Sequence, residues 1–140
     1  MRIRPAAVLF ALAMAAVPSA QTARTIEKGA RSQIQDPKQV VVRTATEWQA
    51  LWRQHAPDRP LPSVDFSKQS VVAVFMGARN TAGYSVGIVN TTEGNGVLIV
   101  RYKETAPPRD AIAAQVLTAP YHIVAIAKTS AARVEFEKAE

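Results

Sequence analysis

Two periods of apolar and polar residues run along this chain, and each change of period marks an element. Val71-Val-Ala-Val-Phe-Met76 is wholly apolar, which predicts a central strand buried on both faces. Residues 77–82 are small, polar or basic, and Gly83 opens an alternating segment. There Tyr84, Val86 and Ile88 are separated by Ser85 and Gly87, so one face is apolar. The stretch between the two strands predicts a loop with an exposed tip, where glycine and asparagine accept a positive φ. Glu93-Gly-Asn-Gly96 predicts a tight reverse turn, because Asn-Gly suits positions that both need positive φ. Val97–Lys103 then supplies the partner strand, with Leu98, Val100 and Tyr102 on one face. The hairpin covers roughly residues 83–104.

A helical period occupies the segment from Thr44 to His55. Thr44 and Glu47 stand in capping-box spacing. Trp48, Leu51, Trp52 and His55 recur at i, i+3, i+4 and i+7, so both tryptophans anchor one helix face against the sheet. His55 falls near the helix C-terminus, where positive charge is favoured. Pro57 and Pro60 end the helix. Upstream, residues 21–28 are polar without a period, which predicts a frayed lead-in. Gly29–Val42 predicts a first strand broken at Asp36-Pro37, then a short strand at Val40–Val42 on an edge or bend. Downstream, Gln115–Thr118 and Tyr121–Ala127 read as strand, bent at Ala119-Pro120. Arg133–Glu137 reads as a last, half-exposed strand. The fold class is α+β: a mainly antiparallel sheet or sandwich with one amphipathic helix packed on it, after an N-terminal signal peptide.

That leader follows from layout. Met1-Arg-Ile-Arg4 is basic, Pro5–Val17 is apolar, and Pro18-Ser-Ala20 is small before the chain turns polar. The apolar stretch is too short to span a bilayer as a helix. The division expected is residues 1–20 as signal peptide, 21–39 as lead-in and first strand, and 40–137 as one domain. A periplasmic or secreted location follows. The length of 140 residues and a hydrophobic content of 48% suit one modest core. Net charge is +6, to which Arg2 and Arg4 of the leader contribute two. Without a run of like charges this reads as a solvated basic surface rather than a nucleic-acid footprint. The absence of cysteine removes disulfides, thiolate chemistry and a lipid-anchor cysteine, so no stable membrane anchor is expected once the leader is cleaved.

No residue pattern specifies a reaction, and the chain is expected not to be an enzyme. His122 would need a nucleophile and an orienting acid, and Ser85 lies outside a nucleophile elbow; a histidine bonded to backbone or a neighbouring strand is the simpler reading. The two histidines lack a ligand spacing, and the glycines at 77, 83 and 87 match no phosphate loop, so no metal or cofactor is expected. Asp58, Asp65, Glu93, Glu104 and Asp110 are scattered and read as surface charge. Arg79, Asn80, Thr81 and Tyr84, with Pro107, Pro108 and Arg109, remain. Arginine and tyrosine anchor protein interfaces, and these loops form a binding surface if they meet at one end of the sheet.

Several ordered segments resemble the PrcB family, named for a subunit of a bacterial surface protease complex. They are Thr46-Glu-Trp-Gln-Ala-Leu-Trp52, Val64-Asp-Phe-Ser67, Val71–Phe75, Gly77, Thr81-Ala-Gly-Tyr-Ser-Val86 with Ile88, Pro107-Pro108 and Val116–Val124. The resemblance covers roughly residues 40–128. It implies an exported, non-catalytic accessory domain that binds another exported protein, a protease among the candidates, as subunit or stabiliser. Family members often read Thr-Gly-Gly-Tyr where this chain has Thr81-Ala-Gly-Tyr84, and Ser-Pro-Tyr-His where it has Ala119-Pro-Tyr-His122. The missing anchor cysteine favours a soluble periplasmic protein over a surface lipoprotein. Asn80-Thr-Ala-Gly-Tyr84 is also similar to a loop of chagasin-like cysteine-protease inhibitors, although the tryptophan-bearing helix does not suit their fold. Protease inhibition is the alternative function, and a small hydrolase using His122 ranks below it.

Overall fold

The computed structural model describes Ser19–Ala20 and residues 23–140. The expected signal peptide therefore lies outside the described residues except for Ser19–Ala20. Eight strands and one helix follow in the order β1 (Ser19–Ala20), β2 (Arg24–Gly29), β3 (Lys38–Val42), α1 (Ala45–His55), β4 (Gln69–Phe75), β5 (Ser85–Gly94), β6 (Val97–Thr105), β7 (Tyr121–Ala127) and β8 (Arg133–Ala139). They form two four-stranded sheets, one in the order β1-β5-β6-β8 and one in the order β2-β7-β4-β3.

Strand alternation builds three layers. On β4 and β7, Val71, Ala73, Phe75, Tyr121 and Ile123 pack with Trp48, Leu51 and Trp52 of α1. The alternate residues Val72, Val124 and Ile126 meet Leu98 and Val100 of the other sheet. The apolar run is thus buried on both faces, by the helix on one and by the second sheet on the other. Thr44 caps α1: its hydroxyl accepts from the Glu47 amide at 3.2 Å and donates to the Glu47 carboxylate at 3.1 Å. The return bond of the capping box therefore lands on the hydroxyl rather than on the backbone. Both indoles are buried, and each N–H finds a carbonyl: Trp48 donates to Pro62 and Trp52 to Arg59, each at 2.9 Å. The helix thereby also holds down the connector that follows it. β3 lies on the edge of its sheet, as Pro37 suggests. The β5–β6 hairpin turns at Asn95 and Gly96, with φ of 53° and 76°, as Asn-Gly predicts.

Four features differ from expectation. Arg24–Gly29 is a paired strand on β7 rather than a frayed lead-in. A register shift between Thr25 and Glu27 breaks the alternation that would have marked it. The break also explains how Ile26 joins the helix-side core while Glu27 reaches the same layer. Between Gly29 and Val42, strand begins only at Lys38, and Ile34 is buried from irregular chain. Gln115–Leu117 is not strand either, and only Thr118 and Ala119 make isolated bridges. Finally, β8 pairs with β6 in parallel, because the chain visits the other sheet as β7 before returning.

Candidate binding surface

Two connections cross between the sheets at the same end of the sandwich. One joins β4 to β5 and carries Arg79–Tyr84; the other joins β6 to β7 and carries residues 106–120. They are stitched together along their length. The Arg79 amide donates to the Thr118 carbonyl at 2.7 Å, and the Thr118 amide donates back at 2.9 Å. The Thr118 hydroxyl donates to the Thr81 carbonyl at 2.9 Å, and the Ala82 amide to the Ala114 carbonyl at 2.9 Å. Gly83 has φ of +95°, and a Cβ there would lie 2.8 Å from the Pro107 Cβ. Only glycine allows both the backbone turn and the approach of Pro107. The fold therefore brings Pro107 and Pro108 against the Arg79–Tyr84 loop, and Arg109 follows them at the exposed rim.

A cavity of about 420 Å³ opens where the two connections meet, lined by Ala82, Gly83, Pro107, Pro108, Ile112 and Ala114 among others. Of the lining residues Ile112 is fully exposed, and further along the same connection Leu117 is 72% exposed and Val116 is 39% exposed. Apolar side chains clustered in the open on a folded surface mark contact sites. Nothing in the sequence marks them, because Ala111–Ala114 carries no charge or period and Gln115–Thr118 resembles strand. Asn80 is the exposed tip, while Arg79, Thr81 and Tyr84 are half-buried. The Arg79 guanidinium carbon stands 5.6 Å from the centre of the Tyr84 ring. Tyr84 also packs against the core cluster of Val74, Met76, Val86 and Tyr102, so its ring serves core and surface at once.

A second cluster sits on the helix side of the β2-β7-β4-β3 sheet, under the end of α1. Glu27 accepts from His55 Nε2 at 3.0 Å, from the Tyr121 hydroxyl, and from Arg59 Nη1 and Nη2 at 2.6 and 2.5 Å. Burial would raise the Glu27 carboxyl, but the hydrogen bonds from Arg59, Tyr121 and His55 outweigh it and hold the group at about 2. Tyr121 is pushed up to about 12 by burial and then by Glu27. His55 is 1% exposed, and burial lowers its pKa against the opposing pull of Glu27. A neutral ring that donates Nε2–H to Glu27 must accept at Nδ1, so the Ser32 hydroxyl, 2.7 Å away, donates to it. The Ser32 oxygen in turn accepts from the Ile34 amide at 3.0 Å.

Serine, histidine and carboxylate thus form one chain, but Ser32 is 5% exposed and does not line the cavity described above. The chain ties β2, α1 and β7 together. His55 lies on the buried helix face with Trp48, Leu51 and Trp52, as its spacing predicts, and the positive charge favoured at a helix C-terminus is not what it supplies: it is a buried neutral link. Nothing in the spacing of residues 27, 32, 55, 59 and 121 signals the cluster, because it forms only when three elements stack.

His122 is bonded on both ring nitrogens. Its Nδ1 accepts from the Ile88 amide of the opposite sheet at 2.8 Å. The proton therefore sits on Nε2, which donates to the Thr25 hydroxyl at 2.9 Å. Burial, and then Lys28, lowers its pKa to about 4. The ring joins backbone to a neighbouring strand, as a structural histidine does.

Comparison with curated proteins and with solved structures gave no match. Residues 70–127 match the family model described as PrcB C-terminal. The matched span runs from the start of β4 through the hairpin and both sheet-crossing connections to the end of β7. It contains every residue of the stitched loop pair. Over those residues the chain is similar to the PrcB C-terminal family.

Proposed function

We propose that this protein is an exported, non-catalytic accessory domain that binds another protein, in the setting of a protease complex. The match of residues 70–127 to the PrcB C-terminal family model supplies the setting. The observation that carries the binding role is the exposure of Ile112, Val116 and Leu117 on a connection that lines an open cavity and is stitched to its neighbour. Three apolar side chains held in solvent are unfavourable to the isolated protein, and a partner that covers them removes that cost. Export rests on the leader layout of residues 1–20.

Affinity capture from the periplasmic fraction tests the reading, with the protein as bait and Ile112→Asp/Leu117→Asp as the control. Both positions are exposed, so the control keeps its fold. The expected result is a protein retained by the wild type and depleted at least tenfold by the control. Equal retention by both would place the partner surface elsewhere. Loss of protease activity on adding the purified protein would favour inhibition over accessory binding.

A further inference from the structure

The binding-domain reading leaves open what chemistry the surface accepts, and the charges around the cavity narrow it. Its lining consists of alanine, proline, glycine, threonine and Ile112, without a charged side chain. A space of about 420 Å³ suits one or two apolar side chains of a partner. Two arginines stand next to lining segments in the chain. Arg109 follows Pro108 directly, and Arg79 stacks on Tyr84, the residue after Gly83.

Neither guanidinium pairs with a carboxylate among the described residues, whereas Arg59, Arg101 and Arg133 each do. The Arg79 side chain donates to the Ala78 carbonyl at 3.0 Å, which leaves most of its donors free. Stacking on Tyr84 fixes its plane and so lowers the entropy lost when it takes a partner. Asp110 is the one acidic residue between Thr105 and Pro120, so this rim remains basic.

From this pairing of apolar cavity and unpaired guanidinium groups we infer that the surface recognises an acidic peptide segment. An apolar side chain of the segment enters the cavity and the carboxylate of a neighbouring residue meets Arg79 or Arg109. The inference rests on the binding-domain reading above and adds the chemistry of the partner. A guanidinium–carboxylate contact is directional and bidentate, so it selects glutamate over its uncharged isostere. The contact is partly solvent-exposed, which limits that selection to roughly fivefold.

The test is a titration of isotope-labelled protein, followed by backbone amide resonances. Three end-capped peptides are used: Gly-Ser-Leu-Glu-Gly-Ser, the same with Gln for Glu, and the same with Ser for Leu. The Leu-Glu peptide is expected to shift the amides of Ala82, Gly83, Ala106 and residues 111–114. It should bind more tightly than either control, by up to roughly fivefold over the Gln peptide, and Arg79→Gln/Arg109→Gln should abolish that advantage. Equal binding of the Glu and Gln peptides, shifts confined to other residues, or no shift at millimolar peptide would overturn the inference. Concentration-dependent shifts at the same amides without peptide would assign the surface to a second copy of the chain and also overturn it. If the peptides fail while capture succeeds and is lost in Ile112→Asp/Leu117→Asp, only the ligand chemistry falls and the binding role stands.

Discussion

Glu27→Ala is expected to destabilise the protein by about 3 kcal/mol, a fall of about 10 °C in melting temperature for a domain of this size. Glu27 is the shared acceptor for four donors from three separate parts of the chain. Removing it strands the His55 N–H and the Tyr121 hydroxyl in a layer packed with Trp52 and Phe75. A buried donor without an acceptor costs about 1–3 kcal/mol. The ion pair contributes less, because the Arg59 side chain is 49% exposed and solvent screens it. Arg59→Met should therefore cost no more than about 1 kcal/mol. Urea unfolding of the two variants separates the contributions. Equal losses would show that the ion pair, and not the buried donors, dominates the cluster.

Acid should unfold the protein in two stages, both with the same sign. His122 has a folded pKa of about 4, below its ordinary value of 6.5. His55 is lowered as well, by burial first. In the unfolded chain both rings take up a proton as pH falls through about 6.5, while the folded protein resists. Their stabilisation is therefore complete above that value and declines from there toward pH 4. For His122 alone the decline amounts to about 3 kcal/mol at most.

Glu27 follows at lower pH. Its folded pKa of about 2 lies below the ordinary 4.5, so its contribution is complete above 4.5 and is lost as pH falls toward 2. Urea midpoints measured from pH 8 to pH 4 should stay level above pH 7 and then drop steeply. In His122→Gln the drop between pH 6.5 and 4 should be smaller than in the wild type, because His55 alone of the two rings then contributes to it. A wild-type profile that stays flat from pH 7 to pH 5 would contradict the neutral, buried state of both rings.

Local pattern was enough for the elements that carry their own signal. The apolar run of β4, the Asn95-Gly96 turn and the Trp48–Leu51–Trp52 face each depend on neighbours in sequence, and each is where the pattern puts it. The elements missed depend on distant partners. β2 is half polar and bulged, so its strand character comes from pairing with β7 nearly a hundred residues later. The parallel pairing of β8 with β6 requires knowing that β7 joins the other sheet.

The same division holds at the candidate surface. Gly83, Tyr84 and the Pro107-Pro108 pair stood out by composition, yet their meeting rests on the bonds of residues 79, 81 and 82 to residues 114 and 118. Exposure of Ile112 and Leu117 is invisible in sequence, where an isolated isoleucine or leucine reads as core. The Glu27–His55 cluster is hidden for a further reason. Its members are ordinary polar residues until β2, α1 and β7 are stacked.

Hydrogen–deuterium exchange on the protein, alone and bound to the partner it retains, tests the central claim most directly. The account predicts slowed exchange in two segments, residues 78–84 and 105–118, with the outer face of the β5-β6-β8 sheet unchanged. Protection confined to that sheet face, or to the edge strands β3 and β8, would contradict it and remove the stitched connections as the binding surface.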